Sequence, residues 1–567
     1  MTSIRSVSIV VPSEPTPSGL LRLPETDQVA QWTHAPLIYI YRAKSNNSTI
    51  PFSFEAMKNS LSRALIHFYP LAGRLHWIEG GRLELDCNAM GVQLLEAYSK
   101  AELDELGDFA PTDAVRDLVP KVDYTTPIEE WPLLLVQVTR FRCGGLCVGV
   151  AISHTMVDGR SATHLINSWA KLSRGYDLED VDMPFLDRTV LRSSEPVKTP
   201  RFDHVEYTTK PPVLIGRTDA NEERKKETSA TLLKLTREQV EVLKKRANQD
   251  VVGVTTKRPY SRYEAIAGHM WRCACKVRAV DSHNSQSTRA RLGVDIRNRL
   301  KLVKTPRFDH VEYTTKPPVL IGRTDANEER KKETSATLLK LTREQVEVLK
   351  KRANQDVVGV TTKRPYSRYE AIAGHMWRCA CKVRAVDSHN SQSTRARLGV
   401  DIRNRLKLSL PERYFGNAIS ATVTPICLYE ELLSRPLSYS AGKLREAIER
   451  MDDEYIRSAL DFISSQKDVS GLRSSFHIQG FSDGPFLGNP NISLGSWIGL
   501  PFYDADFGWG KPIYVGPGLL NMDGKSFIMP SPTADGSIII ALRLQTQYMD
   551  SFKKIFYEDI SVSLAKL

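Results

Sequence analysis

The stretch GVAISHTMVDGRSATH, residues 149–164, joins an apolar strand pattern to an amphipathic helix pattern through a short polar loop. His154 begins this loop, and Asp158 stands four residues later, immediately before Gly159 and the helix. Loops that follow buried strands often carry catalytic groups, because the rigid strand fixes where they lie. The stretch therefore makes His154 a candidate catalytic residue.

Residue chemistry narrows what His154 and Asp158 could do. A metal pair four residues apart needs one helical face, and a loop that ends in Asp-Gly argues against a helix there. A serine triad needs a nucleophile, and the chain contains no G-x-S-x-G motif. A general base acting alone, with Asp158 orienting the loop, remains. The alternative is that His154 is a core histidine whose hydrogen bonds are satisfied there, and that Asp158 only forms a turn. These two residues alone leave that alternative open.

The segments on both sides of this stretch alternate between strand and helix patterns. Strand patterns occupy residues 35–43, 81–87, 132–154, 333–341, 393–404, 414–425 and 537–545. Helix patterns occupy residues 54–68 and 161–175, a segment opened by a capping box from Thr342 to Gln345, and residues 367–383. This alternation predicts an α/β protein with mixed sheets in two domains, joined by the proline- and charge-rich crossover near residues 184–228.

Residues 197–302, the first copy, recur without a single difference as residues 303–408, the second copy. Natural repeat arrays are shorter, diverged and more numerous, so identity over 106 residues indicates a recent tandem duplication or an error in assembling the gene. Each copy carries 23 Lys and Arg against 12 Asp and Glu, and the formal net charge of the chain is +12. Without one copy, 461 residues with a charge of +1 remain, so the basic charge does not indicate a nucleic-acid partner.

Apolar runs are too short for a membrane span of ~20 residues, and the first residues lack a signal-peptide core. We therefore expect a cytoplasmic protein with no membrane partner. The eight cysteines show neither a disulfide framework nor zinc spacing, and we interpret them as buried free thiols.

Two widely separated motifs resemble signatures of one family. HTMVDG (154–159) and DFGWG (506–510) resemble the paired signatures of the BAHD acyl-CoA-dependent acyltransferases, and YPLAGR (69–74) and YFGN (414–417) resemble the secondary motifs of that family. The resemblance covers essentially the whole chain once one copy is removed. THAPLIYIYRA, DGPFLGNPN, GHMWRCACK and GWGKPIYVGPG are most similar to spermidine hydroxycinnamoyl transferases, and next to the shikimate and quinate enzymes.

The resemblance implies a chloramphenicol-acetyltransferase-like α/β fold, in which two similar domains with mixed sheets and flanking helices enclose an active-site channel. The domain with the HTMVDG motif then spans residues 1–196, and the domain with the DFGWG motif spans residues 303–567. Residues 197–302 would be excluded or loosely docked. We expect the second copy to be integrated, because only a short link separates its strand 393–404 from the strand pattern that follows.

The resemblance also implies the roles of individual residues. His154 would be the general base in the channel, Trp497 would donate its indole N–H to the oxyanion, and Asp506 is included with them as a catalytic candidate, although DFGWG is structural in the family. Asp483 would bind a cationic acceptor. Structural roles fall to Asp158, Gly159, Gly508 and Gly510, and to the arginine that pairs with Asp158, either Arg403 or its counterpart Arg297.

The function predicted from this resemblance is transfer of a hydroxycinnamoyl group from its CoA thioester to an amine of spermidine, without a covalent acyl-enzyme. The protein would be a monomer with no metal and no cofactor, since coenzyme A enters as a co-substrate. One alternative is O-acylation of shikimate, quinate or another alcohol. Another, from a different class, is an inactive binding or scaffold protein disabled by the duplication. An anionic acceptor needs a basic pocket, so the charge near His154 discriminates between a polyamine and an acid.

Overall fold

The chain divides into two compact units, Met1–Lys210 with Gly322–Leu567 and Pro211–Ile321. We refer to them as the first and the second unit. The computed structural model describes residues 2–42, 52–207, 236–249, 265, 269, 332–355, 364–385, 392–472 and 488–564.

Seventeen strands lie in the described part of the first unit. They are β1 (Thr2–Val10), β2 (Leu20–Arg22), β3 (His34–Tyr41), β4 (Arg74–Ile78), β5 (Arg82–Asp86), β6 (Val92–Ser99), β7 (Leu134–Phe141), β8 (Leu146–Ser153), β9 (Thr334–Leu341), β10 (Ser393–Thr394), β11 (Ala396–Asp401), β12 (Ile419–Val423), β13 (Cys427–Leu428), β14 (Ile492–Ser496), β15 (Tyr514–Pro517), β16 (Lys525–Pro530) and β17 (Ile538–Gln545).

Eleven α-helices are described, of which the fifth belongs to the second unit. They are α1 (Glu25–Gln28), α2 (Phe54–His67), α3 (Asp113–Arg116), α4 (Gly159–Ser173), α5 (Arg237–Gln249), α6 (Arg343–Gln355), α7 (Arg368–Arg384), α8 (Tyr429–Ser434), α9 (Leu437–Glu449), α10 (Asp453–Ser465) and α11 (Thr546–Leu564).

A six-stranded mixed sheet, in the order β1-β6-β7-β8-β3-β15, forms the base of the amino-terminal half of the first unit. The central strands β7 and β8 are buried along almost their whole length and form the hairpin that the sequence predicts around Gly144–Gly145. Helices α2 and α4 pack on each other and contribute to the same apolar core. Strand β15 pairs with β3, so the carboxy-terminal half of the chain completes this sheet.

A second six-stranded mixed sheet, in the order β12-β11-β14-β16-β17-β9, forms the carboxy-terminal half. Strands β9 and β11 come from the second copy, and α6 and α7 of the same copy bury their apolar faces in the core beneath this sheet. β11 pairs with β12, as predicted for the strand that leaves the second copy. Two mixed sheets with flanking helices confirm the predicted fold class.

Identical sequences in the two copies form identical helices in different surroundings. Each of α5 and α6 starts at a capping box, in which a threonine and a glutamine exchange hydrogen bonds. Val348 in α6 is 6% exposed, whereas its counterpart Val242 in α5 is 59% exposed. The helix is thus set by local sequence, while burial of its apolar face depends on the unit that contains it.

The predicted domain boundaries lie at residues 196 and 303. In the structure, the first unit extends to Lys210 and resumes at Gly322. Residues 197–207, from the first copy, pack in the first unit, where His204 and Glu206 are buried. The first unit is therefore a composite, with a crossover from the first copy and sheet strands from the second. Because the copies are identical, its amino-acid sequence does not depend on which copy supplies each part.

Within the described ranges, no helix is both long and apolar enough to cross a membrane. Five of the six described cysteines are buried free thiols, as predicted. Cys143 is an exception: it is exposed in the β7–β8 turn and accepts a hydrogen bond from the backbone N–H of Leu103 at 3.4 Å.

Candidate active site

His154 lies at the first position after β8, at the edge of the amino-terminal sheet. Its backbone N–H donates to the carbonyl of Thr33, which precedes the neighbouring strand β3. Asp158 ends the loop as the N-cap of α4, and its carboxylate accepts a hydrogen bond from the backbone N–H of Ser161 at 3.0 Å. The loop is therefore anchored at both ends by the strand and the helix that the sequence predicts.

Asn417, the last residue of the YFGN motif, holds the backbone at His154. Its Nδ2 donates to the carbonyl oxygens of His154 and Thr155, both at 2.9 Å. The backbone N–H and Nδ2 of Asn417 also donate to Asp27, at 3.1 and 3.0 Å. No role was predicted for Asn417 from the YFGN motif, because its partners Asp27 and His154 lie far away along the chain.

Arg188, in the crossover, holds the middle of the loop. It pairs with the fully buried Asp27, and its second guanidinium nitrogen donates to the carbonyl of Met156 at 2.9 Å. Neither Arg188 nor Asp27 was predicted, because a single charged residue in a linker or a short helix carries no sequence signal for a distant buried pair.

Asp158 and Arg403 form the predicted buried pair. The two guanidinium nitrogens donate to the two carboxylate oxygens at 2.8 and 3.1 Å, and the backbone N–H of Ala418 donates to the same carboxylate at 3.0 Å. Burial alone would raise the pKa of Asp158, but the charge and hydrogen bonds of Arg403 hold it below its ordinary value. Arg297 lies outside the described residues.

The imidazole of His154 is held as a neutral base. Burial lowers its pKa below the ordinary value, and the positive charge of Lys525 lowers it further. Its Nδ1 is buried and has no hydrogen-bond partner in the described part of the chain. At neutral pH this side chain can therefore accept a proton.

Trp497 follows β14 and packs against the apolar cores of both halves. Its ring stacks on Phe527, with 4.2 Å between ring centroids. Within the described ranges, no residue accepts a hydrogen bond from its indole N–H, which leaves that donor available. Leu500 follows in the same segment, and a Cβ at Gly159 would meet the end of its side chain at 2.9 Å, so a larger residue there would require Leu500 to shift.

Asp506, which the sequence includes as a catalytic candidate, has a structural part in the fold. One of its carboxylate oxygens accepts hydrogen bonds from the backbone N–H groups of Gly508 and Gly510, both at 2.8 Å. Both glycines have positive φ, of 100° and 92°, so the carboxylate and the glycines together close a tight turn. The described contacts do not bring Asp506 to His154.

Lys525, whose charge contributes to the lowered pKa of His154, was not predicted, and neither was its neighbour Arg397. Desolvation, together with the charge of Arg397, lowers the pKa of Lys525 to about 8, and desolvation lowers the pKa of Arg397 to about 10. Asp483, the predicted acceptor-binding acid, lies outside the described residues. In the part of the chain that the structure describes, no group of three or more His, Cys, Asp and Glu side chains could hold a metal ion.

The first unit supplies a rigidly held neutral imidazole at His154, with the positive charge of Lys525 nearby, and an indole N–H at Trp497. A neutral imidazole can take a proton from a hydroxyl or an amine, and a fixed N–H can stabilise an oxyanion. These groups fit acyl transfer from an already activated ester.

Comparison with known proteins agrees with this chemistry. The model of the transferase family matches residues 1–307 and again residues 301–559. The chain is 41% identical over 562 residues to a hydroxycinnamoyl-CoA:piscidic acid hydroxycinnamoyltransferase of Actaea racemosa, covering 99% of this chain and 100% of the relative. It is 35% identical to a shikimate O-hydroxycinnamoyltransferase of Nicotiana tabacum, covering 98% and 99%. It is 32% identical to a 5-hydroxyanthranilate N-hydroxycinnamoyltransferase of Avena sativa, with the same coverage.

Solved structures show the same fold at low sequence identity. Vinorine synthase superposes with a TM-score of 0.56 and 18% identity, covering 97% of this chain and 96% of that chain. TRI101 of F. graminearum, complexed with coenzyme A and deoxynivalenol, superposes with a TM-score of 0.62 and 16% identity, covering 94% and 97%.

Proposed function

The chain belongs to the transferase family of BAHD acyl-CoA-dependent acyltransferases, and from that membership we propose that it transfers a hydroxycinnamoyl group from coenzyme A to a small acceptor, with His154 as general base. The co-substrate is a coenzyme A thioester, which is already activated for attack. No covalent acyl-enzyme is required.

The reaction follows from the groups around His154. The imidazole takes the proton of the acceptor O–H or N–H while that oxygen or nitrogen attacks the thioester carbonyl carbon. The tetrahedral oxyanion accepts a hydrogen bond from the indole N–H of Trp497. When the intermediate collapses, the C–S bond breaks, and the thiolate of coenzyme A takes the proton back from the imidazolium.

The observation that carries this proposal is the way in which the His154 loop is fixed. Its carbonyl groups are held by Asn417 and Arg188, and its last residue is held by Arg403. A base placed so rigidly supports catalysis, because little reorganisation is needed when the reactants meet. The inactive-scaffold alternative loses support, since the second copy supplies Arg403 and leaves this arrangement complete.

A hydroxycinnamoyl donor is supported by the relatives and by an aromatic group beside the catalytic loop. Trp32 precedes Thr33, the backbone partner of His154, and its ring stacks on Trp131 with 5.4 Å between centroids. Tyr124 packs edge-on against Trp131 at 5.0 Å. Such a cluster suits a planar aromatic acyl group.

The acceptor is less constrained than the donor. Spermidine is the acceptor predicted from the sequence, and an alcohol of the shikimate or quinate type is the alternative. The relatives include enzymes named for O-acylation and for N-acylation. The cations Lys525 and Arg397 favour an acceptor other than a polyamine. Cytoplasmic location and a monomeric state stay predictions.

A single assay tests the proposed function. Purified protein is incubated with p-coumaroyl-CoA and, separately, spermidine, shikimate, quinate, piscidic acid and 5-hydroxyanthranilate, and release of the coenzyme A thiol is followed. We expect acceptor-dependent thiol release with at least one acceptor and an acylated product by mass spectrometry. Release that is independent of every acceptor, or no release at all, would contradict the proposal.

A further inference from the structure

Helix α1 is polar and yet buried. Its four residues, Glu25, Thr26, Asp27 and Gln28, are at most 5% exposed, and the side chain of Asp27 is fully buried. Burying a carboxylate costs free energy, which partners of opposite charge or hydrogen-bond donors must offset. The partners of Asp27 therefore show what its burial supports.

The partners of Asp27 reach the catalytic loop along two branches. On one side, Arg188 pairs with the carboxylate and donates to the carbonyl of Met156 at 2.9 Å. On the other side, Nδ2 of Asn417 lies 3.0 Å from Oδ1 of Asp27 and 2.9 Å from the carbonyl oxygens of residues 154–155. Three consecutive carbonyls of the loop are thus tied to one carboxylate through two side chains.

The chain that follows α1 holds the same loop by its backbone. The N–H of His154 donates to the carbonyl of Thr33 at 3.2 Å, and the hydroxyl of Thr155 donates to the carbonyl of Gln31 at 3.4 Å. Both peptide planes at His154 are therefore fixed, one through its N–H and the other through the carbonyl that Asn417 holds. Because two fixed planes define φ and ψ, they also define the direction in which the imidazole leaves the backbone.

We propose that Asp27 is a positioning residue for acyl transfer: it sets the direction of the His154 imidazole through the two side chains that it holds. The inference rests on the proposed function, because it requires His154 to be the base. Misplacing a reacting group by about 1 Å can lower the rate of a reaction ~10²-fold. The effect of Asp27 on turnover must pass through Asn417 and Arg188, since these are the side chains that join it to the loop.

A purely structural role for Asp27 makes a different prediction. Arg188 lies in the crossover and Asn417 in the carboxy-terminal half, so Asp27 also joins parts of the first unit that are distant in sequence. A variant with only a structural defect would unfold more easily, yet each folded molecule would turn over at the wild-type rate. The turnover of the folded protein therefore separates the two roles.

The first test is Asp27→Asn, which keeps the size of the side chain and removes its charge. We expect kcat to fall roughly 10²-fold, with KM for p-coumaroyl-CoA unchanged, because the residues that bind the donor are unaltered. The rise of kcat at acid pH should remain, since His154 is still the base. Glu370→Gln is the matched control: Glu370 is 1% exposed and pairs with Arg445 at 3.0 Å in the carboxy-terminal half, so this variant should keep the kcat of the folded protein.

A double-mutant cycle tests whether Asp27 acts through Asn417. Asn417→Ala alone should lower kcat roughly tenfold or more, and adding Asp27→Asn should then lower it much less than in the wild-type background. Effects that multiply fully would show that the two residues act independently and would overturn the inference.

Two further variants carry the test if Asp27→Asn does not fold. Asn417→Ala and Arg188→Lys each break one branch to the loop and leave Asp27 with a counter-charge. Each should lower kcat while circular dichroism shows a folded protein, and wild-type kcat in both variants would overturn the inference.

The remaining outcomes separate this inference from the proposed function. If Asp27→Asn lowers Tm but keeps kcat within roughly threefold of the wild type, Asp27 is structural only. Loss of the rise at acid pH in this variant would mean that Asp27 controls the ionisation of His154 and not its direction. Either result overturns the inference and leaves the proposed function standing. No turnover by the wild-type protein with any acceptor would contradict both.

Discussion

At the scale of the residue, His154 carries the proposed chemistry. We expect His154→Ala to lower kcat by about 10²–10⁴-fold, the usual contribution of a general base, while the protein stays folded. His67→Ala on α2 is the control, because it removes an imidazole outside the catalytic loop. Steady-state kinetics with circular dichroism check the result. Retention of more than a few per cent of kcat by His154→Ala would refute the role.

The pH dependence follows from the lowered pKa of His154. The imidazole is neutral once pH exceeds this lowered value, so kcat with a saturating hydroxyl acceptor should rise at acid pH and stay level above neutrality. With an amine acceptor the rise should continue towards pH ~10, because the neutral amine becomes more populated. The measurement is kcat at saturating substrates from pH 5 to 9. An inflection above pH 7 with a hydroxyl acceptor would contradict a depressed imidazole pKa.

Individual residues were predictable from the sequence only where a motif holds them. His154 and Asp158 stand out because they share a loop between a strand and a helix. Lys525 does not, since a lysine at the start of a strand usually marks an exposed end. Its place beside Arg397 depends on β14 entering between β11 and β16, which no local pattern encodes. Asp506 also stands in a motif, but the motif alone did not show that its carboxylate closes a turn with Gly508 and Gly510.

At the scale of the element, periodicity predicted strands and helices well. Helices α2 and α4 and the β7–β8 hairpin lie within two residues of the predicted limits. Each helix has one apolar face that it buries, and the two strands are apolar along almost their whole length. The order of strands in the sheets depends on long-range pairing, so it was not predictable in the same way. The catalytic loop is likewise positioned by partners far along the chain.

Arg403 is the partner that joins the catalytic loop to β11. We expect Arg403→Ala to reduce the free energy of unfolding by about 3–5 kcal/mol, because it leaves the carboxylate of Asp158 buried without its counter-charge. Arg297→Ala is a matched control, since it changes the identical residue in the first copy. Urea unfolding and kcat of both variants measure the difference. An equal effect of the two substitutions would show that the copies share the position.

The same pair predicts how stability depends on acidity. The pKa of Asp158 is lower in the folded state than in the unfolded state, so its stabilisation is complete above the unfolded pKa and is lost as pH falls through the folded pKa. In Arg403→Ala this contribution should shrink, and the loss of stability between pH 5 and 2 should be shallower than in the wild type. Unfolding curves across that range measure the slope. A slope equal to that of the wild type would mean that Asp158 is not held ionised by Arg403.

At the scale of the whole molecule, the first unit combines parts of both copies. Glu206, from the first copy, accepts hydrogen bonds from Tyr455 at 2.7 and 2.8 Å and contacts His204 at 3.2 Å. His204 in turn contacts Ser458 at 2.9 Å. Strands β9 and β11 come from the second copy. Local sequence signals could not assign these parts, because the two copies are identical, although the short link after residues 393–404 favoured the second copy as the source of β11.

Because the first unit is a composite, we expect substitutions near residue 206 to matter in the first copy, and substitutions at residue 403 to matter in the second copy. Glu206→Ala should reduce the free energy of unfolding by roughly 1–3 kcal/mol, since it leaves Tyr455 and His204 buried without their acceptor. Glu312→Ala changes the identical residue of the second copy, which lies outside the described residues, and should have no effect. The first copy thus matters at Glu206, whereas the second copy matters at Arg403.

If each single substitution has a small effect and the double substitution a large one, the copies exchange at this position, and the fixed composite is wrong. A larger effect of Glu312→Ala than of Glu206→Ala would place the crossover in the second copy, with residues 197–302 as the surplus segment first predicted.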